Sequence, residues 1–89
     1  MRKLALQKAV IKELDELPAK QYRQVVGAIL DLLVDPAPHY SKPLQNSSYS
    51  RIAVGEYRVI YRADEETVTV ATFGKRNDGA VYQWLDRRQ

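Results

Sequence analysis

The chain has 89 residues and a mass of 10.2 kDa, with fourteen basic and eleven acidic side chains, one histidine and no cysteine. The cysteine count excludes a disulfide framework, a thiol nucleophile and a thiolate metal site, and His39 alone cannot supply the roughly three or four ligands that a zinc centre takes. The formal charge of +3 permits an anionic partner without requiring one.

The length fits one domain spanning residues 1–89, and a chain this short has a thin core that a binding partner would reinforce. No stretch approaches the roughly 20 apolar residues of a membrane span, and the N-terminus lacks a signal-peptide core, so the expected location is the cytoplasm with no membrane partner.

A short strand is expected at Leu4–Leu6. Leu6, Val10, Leu14 and Leu17 then recur at helical spacing, with Lys8, Lys12, Glu13, Asp15 and Glu16 mostly outside the stripe. Pro18 suits the first turn of a second helix, whose stripe is Tyr22, Val25, Val26, Ile29, Leu30 and Leu33. Asp35-Pro36-Ala37-Pro38 ends it, because proline lacks a donor and forces its predecessor out of helical geometry.

From about Arg51 the period changes to two. Ile52 and Val54 alternate with Arg51 and Ala53, and Tyr57, Val59 and Tyr61 alternate with Arg58, Ile60 and Arg62 around a turn or bulge at Gly55-Glu56. Asp64-Glu65-Glu66 reads as a hairpin tip, Thr67 to Phe73 as a β-branched strand closed by Gly74, and 80–88 as a short C-terminal helix carrying Val81, Trp84 and Leu85 on one side. Trp84 fits either packing under that helix or a partner contact. The order (β)ααβββ predicts an α+β fold, an N-terminal helical hairpin packed on one face of a small, mainly antiparallel β-sheet. Tyr57 and Tyr61 are expected to face the helices with their hydroxyls wet, while Arg51, Arg58 and Arg62 crowd the other, partly open face.

Most motifs for chemistry are missing. Gly74-Lys75 does not make a P-loop, since Thr69 stands where its first glycine belongs and Arg76 follows the lysine. No glycine-rich dinucleotide loop or nucleophile elbow is present, and Ser47-Ser48 and His39 read as loop residues.

Residues 42–82 are informative. Lys42-Pro43-Leu44, then Arg51-Ile52-Ala53-Val54-Gly55-Glu56-Tyr57-Arg58-Val59-Ile60-Tyr61, and finally Gly74-Lys75-Arg76 with Val81-Tyr82, resemble the RelE/ParE superfamily of toxins from toxin–antitoxin pairs. The resemblance covers essentially the whole chain, with its specific weight in V-G-E-Y-R-V-I-Y. It implies a ribosome-dependent endoribonuclease that cleaves mRNA in the ribosomal A site, partnered by a cognate antitoxin protein and using neither metal nor cofactor. Two other readings stay open: a ParE-like inhibitor of DNA gyrase that cleaves no RNA, and an inactive homologue that binds only an antitoxin.

By position, the resemblance makes Arg58 the residue that holds the scissile phosphate. Arg76 stabilises that phosphate or protonates the leaving group, and Tyr82 stacks on or positions a base. Arg51 is the first of two basic positions on its strand. The second, a lysine proposed as the base in the best-known RelE toxins, is Ala53 here. Arginine is a poor replacement base, with a pKa above about 12; Lys75, Glu56 or the ribosome would have to compensate. Lys42, Lys75 and Arg62 complete the expected substrate contacts, Arg62 having the simpler reading of a structural charge. The bland reading of all three strand arginines is pairing with Glu56, Asp64, Glu65 or Glu66.

Overall fold

The computed structural model describes residues 1–75. In chain order these form β1 (Lys3–Leu6), α1 (Lys8–Asp15), α2 (Ala19–Asp31), β2 (Ser41–Pro43), β3 (Ser50–Val54), β4 (Tyr57–Ala63) and β5 (Thr67–Lys75). The sheet order is β1-β5-β4-β3-β2, antiparallel throughout except that β1 runs parallel to β5. The α+β fold, with its helical hairpin on one face of a mainly antiparallel sheet, is therefore as expected. The C-terminal helix expected over 80–88 lies outside the described residues.

Leu4 and Leu6 pair with Val68 and Val70 in β1 and pack against the core from the sheet side. Leu6 thus belongs to the strand rather than to the first helical stripe. β1 is fastened at its start by the Lys3 amide donating to the Glu66 carbonyl at 2.8 Å and by Arg2 Nε donating to the Asp64 carbonyl at 2.7 Å.

Val10 and Leu14 of α1 are buried, as are Val25 and Ile29 of α2 and Leu32 and Leu33 beyond it. Pro18 occupies the N-cap of α2 just ahead of the first turn, and its carbonyl accepts the Tyr22 amide at 2.9 Å. The second stripe is narrower than the pattern of apolar residues implies, because Tyr22 and Leu30 are exposed. α2 also stops sooner, at Asp31, whose carbonyl takes the amides of Val34 and Asp35 in a closing turn. That turn keeps Leu32 and Leu33 inside before Pro36 redirects the chain.

The two helices close over Ile52, Val59, Tyr61, Val68, Val70 and Phe73. A bulge between Ile60 and Tyr61 of β4 and the facing residues of β5 reconciles this set with strand periodicity. Ile60 pairs with Thr72 and Tyr61 with Val70, so Ala71 is the extra residue. Val68 and Val70 therefore share the helix-packed face with Phe73 despite the odd spacing between them. Tyr61 is buried on that face as expected, but its hydroxyl is not wet: it donates to the Pro36 carbonyl at 2.7 Å.

β3 and β4 join through Gly55-Glu56, with Val54 paired to Tyr57. Gly55 has φ +58° and Glu56 does not have a positive φ, the pattern of a type II′ hairpin turn, where glycine takes the first central position at no steric cost.

Candidate functional site on the open sheet face

Strand register sorts the basic residues by face, because directly paired residues point to the same side. Lys42 pairs with Arg51, Arg51 with Ile60, Ala53 with Arg58, and Arg62 with Thr69. Lys3 pairs with Thr67 on the same parity. The face away from the helices thus carries Lys3, Lys42, Arg51, Arg58 and Arg62, and no acidic residue occupies any strand position on it. Among the described residues none of these cations makes a close ion pair with Glu56, Asp64, Glu65 or Glu66, although the charge of Arg62 acts on the Asp64 carboxylate.

Arg58 is half-buried beside the β3–β4 turn. Its Nη1 donates to the Tyr57 carbonyl at 3.0 Å and to the Gly55 carbonyl at 3.3 Å. The type II′ turn therefore sets where the guanidinium sits, while its other N–H groups bond to no described residue. A planar fork held at one end with further donors unbonded is suited to bidentate contact with a phosphate.

Arg51 lies diagonal to Arg58 across β3 and β4, a separation of about 7–8 Å between backbones, and directly opposite Lys42. Side-by-side cations destabilise a sheet, so the group Lys42, Arg51 and Arg58 is a focus of positive potential that an anion would relieve. Exposed Ala53 stands directly across from Arg58. A lysine at this position would project beside the guanidinium; alanine leaves no titratable group there.

The other expected contacts are placed differently. Arg62 lies four residues beyond Arg58, about 13 Å along the strand, and diagonal to Arg51 on the far side of Ile60; its guanidinium carbon stands 5.6 Å from the centre of the Tyr49 ring. It borders an open depression of about 540 Å³ with Ser48, Asp64, Thr67 and Thr69. Lys75 pairs with Tyr57, on the parity of the helix-packed face, so the register does not bring it beside Arg51 and Arg58. Arg76 and Tyr82 lie outside the described residues.

One feature of this face has no counterpart in the sequence pattern. The β2–β3 connection folds back over the sheet, where Leu44 and Tyr49 pack on buried Ile60 and Ala71. It is shaped by the Leu44 amide donating to the Tyr49 carbonyl at 2.9 Å, by the Tyr49 amide donating to Ser47 Oγ at 3.0 Å, and by Asn46 at φ +55°. This small apolar cover sits over Ile60, the residue directly opposite Arg51, and so lies between Arg58 and Arg62 along β4. The Lys42-Pro43 segment, read from sequence only as a motif, is the edge strand that leads into it.

A family model for the ParE toxin of type II toxin–antitoxin systems, parDE, matches residues 4–79. No curated protein gives a match. Among solved structures, a double-arginine mutant of the E. coli toxin RelE in the free state superimposes with a TM-score of 0.80 at 21% identity, covering 98% of this chain and 96% of that one. The archaeal RelE–RelB complex from Pyrococcus horikoshii OT3 gives 0.76 at 24% identity over 85% of this chain and 96% of that one. The RelBE2 toxin–antitoxin complex from Mycobacterium tuberculosis gives 0.72 at 25% identity over 84% and 98%. The likeness to these structures is one of fold, and it extends to the sheet and helical hairpin that carry the cationic face. Since the family model spans most of the sequence and the architecture agrees with it, the chain belongs to the ParE toxin family of type II toxin–antitoxin systems, within the RelE/ParE superfamily.

Proposed function

We propose that this toxin acts as a RelE-like, ribosome-dependent mRNA endoribonuclease. The observation that carries the reading is the grouping of Lys42, Arg51 and Arg58 on a face with no acidic strand residue, Arg58 being held at a hairpin turn with its other donors bonded to no described residue. Cleavage by the 2′-hydroxyl on the adjacent phosphate requires proton removal, stabilisation of a doubly charged phosphorane and protonation of the departing 5′-oxygen. Arg58 and Arg51 serve the second requirement by charge and bidentate hydrogen bonding. Arg76 and Tyr82 are assigned to leaving-group protonation and base stacking by their place in the family motif. With Ala53 opposite Arg58, the proton acceptor comes from elsewhere, Lys75, Glu56 and the ribosome being the candidates. Substrate carried by the ribosome also suits a site that lies on an open sheet face rather than in a closed pocket.

The test is cleavage of a defined message by programmed ribosomes, with end-group analysis. A 2′,3′-cyclic phosphate or 3′-phosphate at the new end supports the nuclease, and its loss in Arg58→Ala and Arg76→Ala variants that remain folded supports the assignment. Full growth arrest by both variants would overturn the site.

A second reading is favoured by Ala53 and by the ParE family match: inhibition of DNA gyrase without RNA chemistry. Inhibited supercoiling with intact messages would establish it. In either case the natural partner is an antitoxin whose acidic or amphipathic segment orders on this domain and masks its basic face. A small adjoining reading frame that encodes such a segment is the expected genetic context.

A further inference from the structure

Helix α2 presents a second face that no other described element covers. At about 100° per residue, Lys20, Arg23, Gln24, Leu30 and Asp31 all lie within about 60° of the direction of Gly27, opposite buried Val25 and Ile29. Leu30 is 49% exposed, and Val34, in the turn that follows, is 73% exposed. Two properties of this face work against the isolated chain. Glycine in a helix interior costs about 1 kcal/mol relative to alanine. Yet Gly27 does not have a positive φ, and a Cβ there would meet no atom within 4 Å, so nothing inside the described fold requires glycine. The charges are also reversed with respect to the helix dipole: Lys20 stands in the first turn and Arg23 follows, while Asp31 ends the helix, with no acidic residue in the first turn and no basic residue in the last.

Both properties become favourable against a second α2 running antiparallel. We infer that this face is the interface of a two-fold homodimer in which the α2 helices cross at Gly27. Centring the two-fold axis there sets Arg23 of each copy against Asp31 of the other, and Gln24 against Leu30. Lys20 meets Val34, whose exposed side chain its methylene stem covers. Each positive helix end then meets the negative end of its partner, and the absent side chain at Gly27 lets the backbones approach closely where they cross. The pattern is self-complementary, as a two-fold interface demands. One short helix per copy makes this a small contact, so the dimer forms in a concentration-dependent manner. The face lies on the opposite layer from Arg51 and Arg58, so the inference stands independently of the catalytic reading.

Sedimentation equilibrium on the full chain up to about 0.5 mM tests it, with thermal unfolding as the control for folding. Wild type is expected to pass from monomer to dimer over this range. Arg23→Asp and Asp31→Arg each convert two attractive contacts into two repulsive ones and should weaken association about tenfold or more. The double variant Arg23→Asp/Asp31→Arg re-forms both pairs in swapped order and should restore the dimer to within about threefold of wild type. Gly27→Leu should be monomeric, with an unfolding temperature no lower than that of wild type, because leucine is the better helix former. A wild type that stays monomeric throughout, a double variant no tighter than the single ones, or a Gly27→Leu chain that still dimerises overturns the inference. So does a charge reversal that weakens antitoxin binding and leaves self-association unchanged, since the face would then belong to the antitoxin.

Discussion

Ile52 and Arg51 are neighbours on one strand, yet Ile52 is sealed beneath two helices while Arg51 stands on a face where no strand residue is acidic. The helix-packed face is set by packing: Ile52, Val59, Tyr61, Val68, Val70 and Phe73 form one continuous core with both helices. The opposite face has one small apolar patch, Ile60 and Ala71 under Leu44 and Tyr49, and its other strand positions carry five cations among small and polar residues, with no acidic strand residue among them. A sheet can sustain this asymmetry because its period of two assigns alternate residues to separate environments. Stability resides on one side, and the charge available for an anionic target on the other.

This division is broken most directly from the packed side. Ile52→Ala removes a fully buried side chain from the centre of the sheet and should cost about 3 kcal/mol, read as a lowered midpoint in urea unfolding. From the other side, Arg58→Ala should leave stability within about 0.5 kcal/mol, since the side chain bonds only to two turn carbonyls among the described residues. Its effect belongs to function, a loss of message cleavage of about a hundredfold in the ribosome assay. A variant that lost several kcal/mol of stability instead would mean that the arginine is structural and that stability is shared between the two faces.

Ala53 offers a gain-of-function probe of the same face. Ala53→Lys places an amine directly across from Arg58, where a neighbouring guanidinium favours the neutral, proton-accepting form. If the toxin cleaves RNA, cleavage should rise about tenfold and its dependence on pH should change. A gyrase inhibitor would gain no ribonuclease activity from this substitution.

A smaller effect is expected at Tyr61, which belongs to the packed face but ends in a polar group. Tyr61→Phe leaves the Pro36 carbonyl without its donor and should cost about 1–2 kcal/mol. Burial raises the Tyr61 pKa above its ordinary 10.0, with Tyr40 and Asp35 adding to the rise and a hydrogen bond with Ser41 opposing it. A raised folded value means that folding favours the protonated phenol. The contribution is therefore complete below pH 10 and is lost as pH climbs through the folded value. The phenylalanine variant should lack that part of the alkaline decline, as followed by unfolding midpoints measured above pH 9.

Much of this could be read from the residues because it depends on local periodicity. The change from helical spacing to alternation near Arg51 separates helices from sheet, and Arg51, Arg58 and Arg62 share a face by parity alone. Parity fails where the chain inserts a residue: the bulge at Ala71 changes the phase of β5, which brings Phe73 onto the core face and puts Lys75 on the parity of Tyr57. Leu6 was ambiguous because it continues the spacing of Val10 and Leu14 while also alternating with Leu4. Its pairing with Val70 settles the matter, and that contact comes from far along the chain. The cover formed by Leu44 and Tyr49 is equally non-local. Nothing in Gln45-Asn46-Ser47-Ser48 indicates that the loop returns across Ile60, and so nothing in the local pattern places Tyr49 against Arg62.

The mildest test concerns the β4–β5 tip, which joins the two faces and belongs to neither. Asp64 Oδ1 accepts the amides of Glu66 at 2.8 Å and Thr67 at 2.7 Å. These bonds lower the carboxyl pKa below its ordinary 3.8, the Glu66 amide contributing most and the Thr67 amide next, with smaller help from the charges of Arg2 and Arg62. A lowered folded value means that folding favours the carboxylate, so this contribution is present above the ordinary value and disappears as pH falls through the folded one. The side chain is exposed, and the effect should be a modest fall in the urea midpoint below pH 4. Asp64→Asn keeps an oxygen to receive both amides but cannot titrate, so its midpoint should fall less steeply over the same acid range. Equal declines in the two proteins would mean that acid sensitivity arises elsewhere and that the tip is held by its backbone pairing alone, the Asp64 amide donating to the Thr67 carbonyl at 3.0 Å.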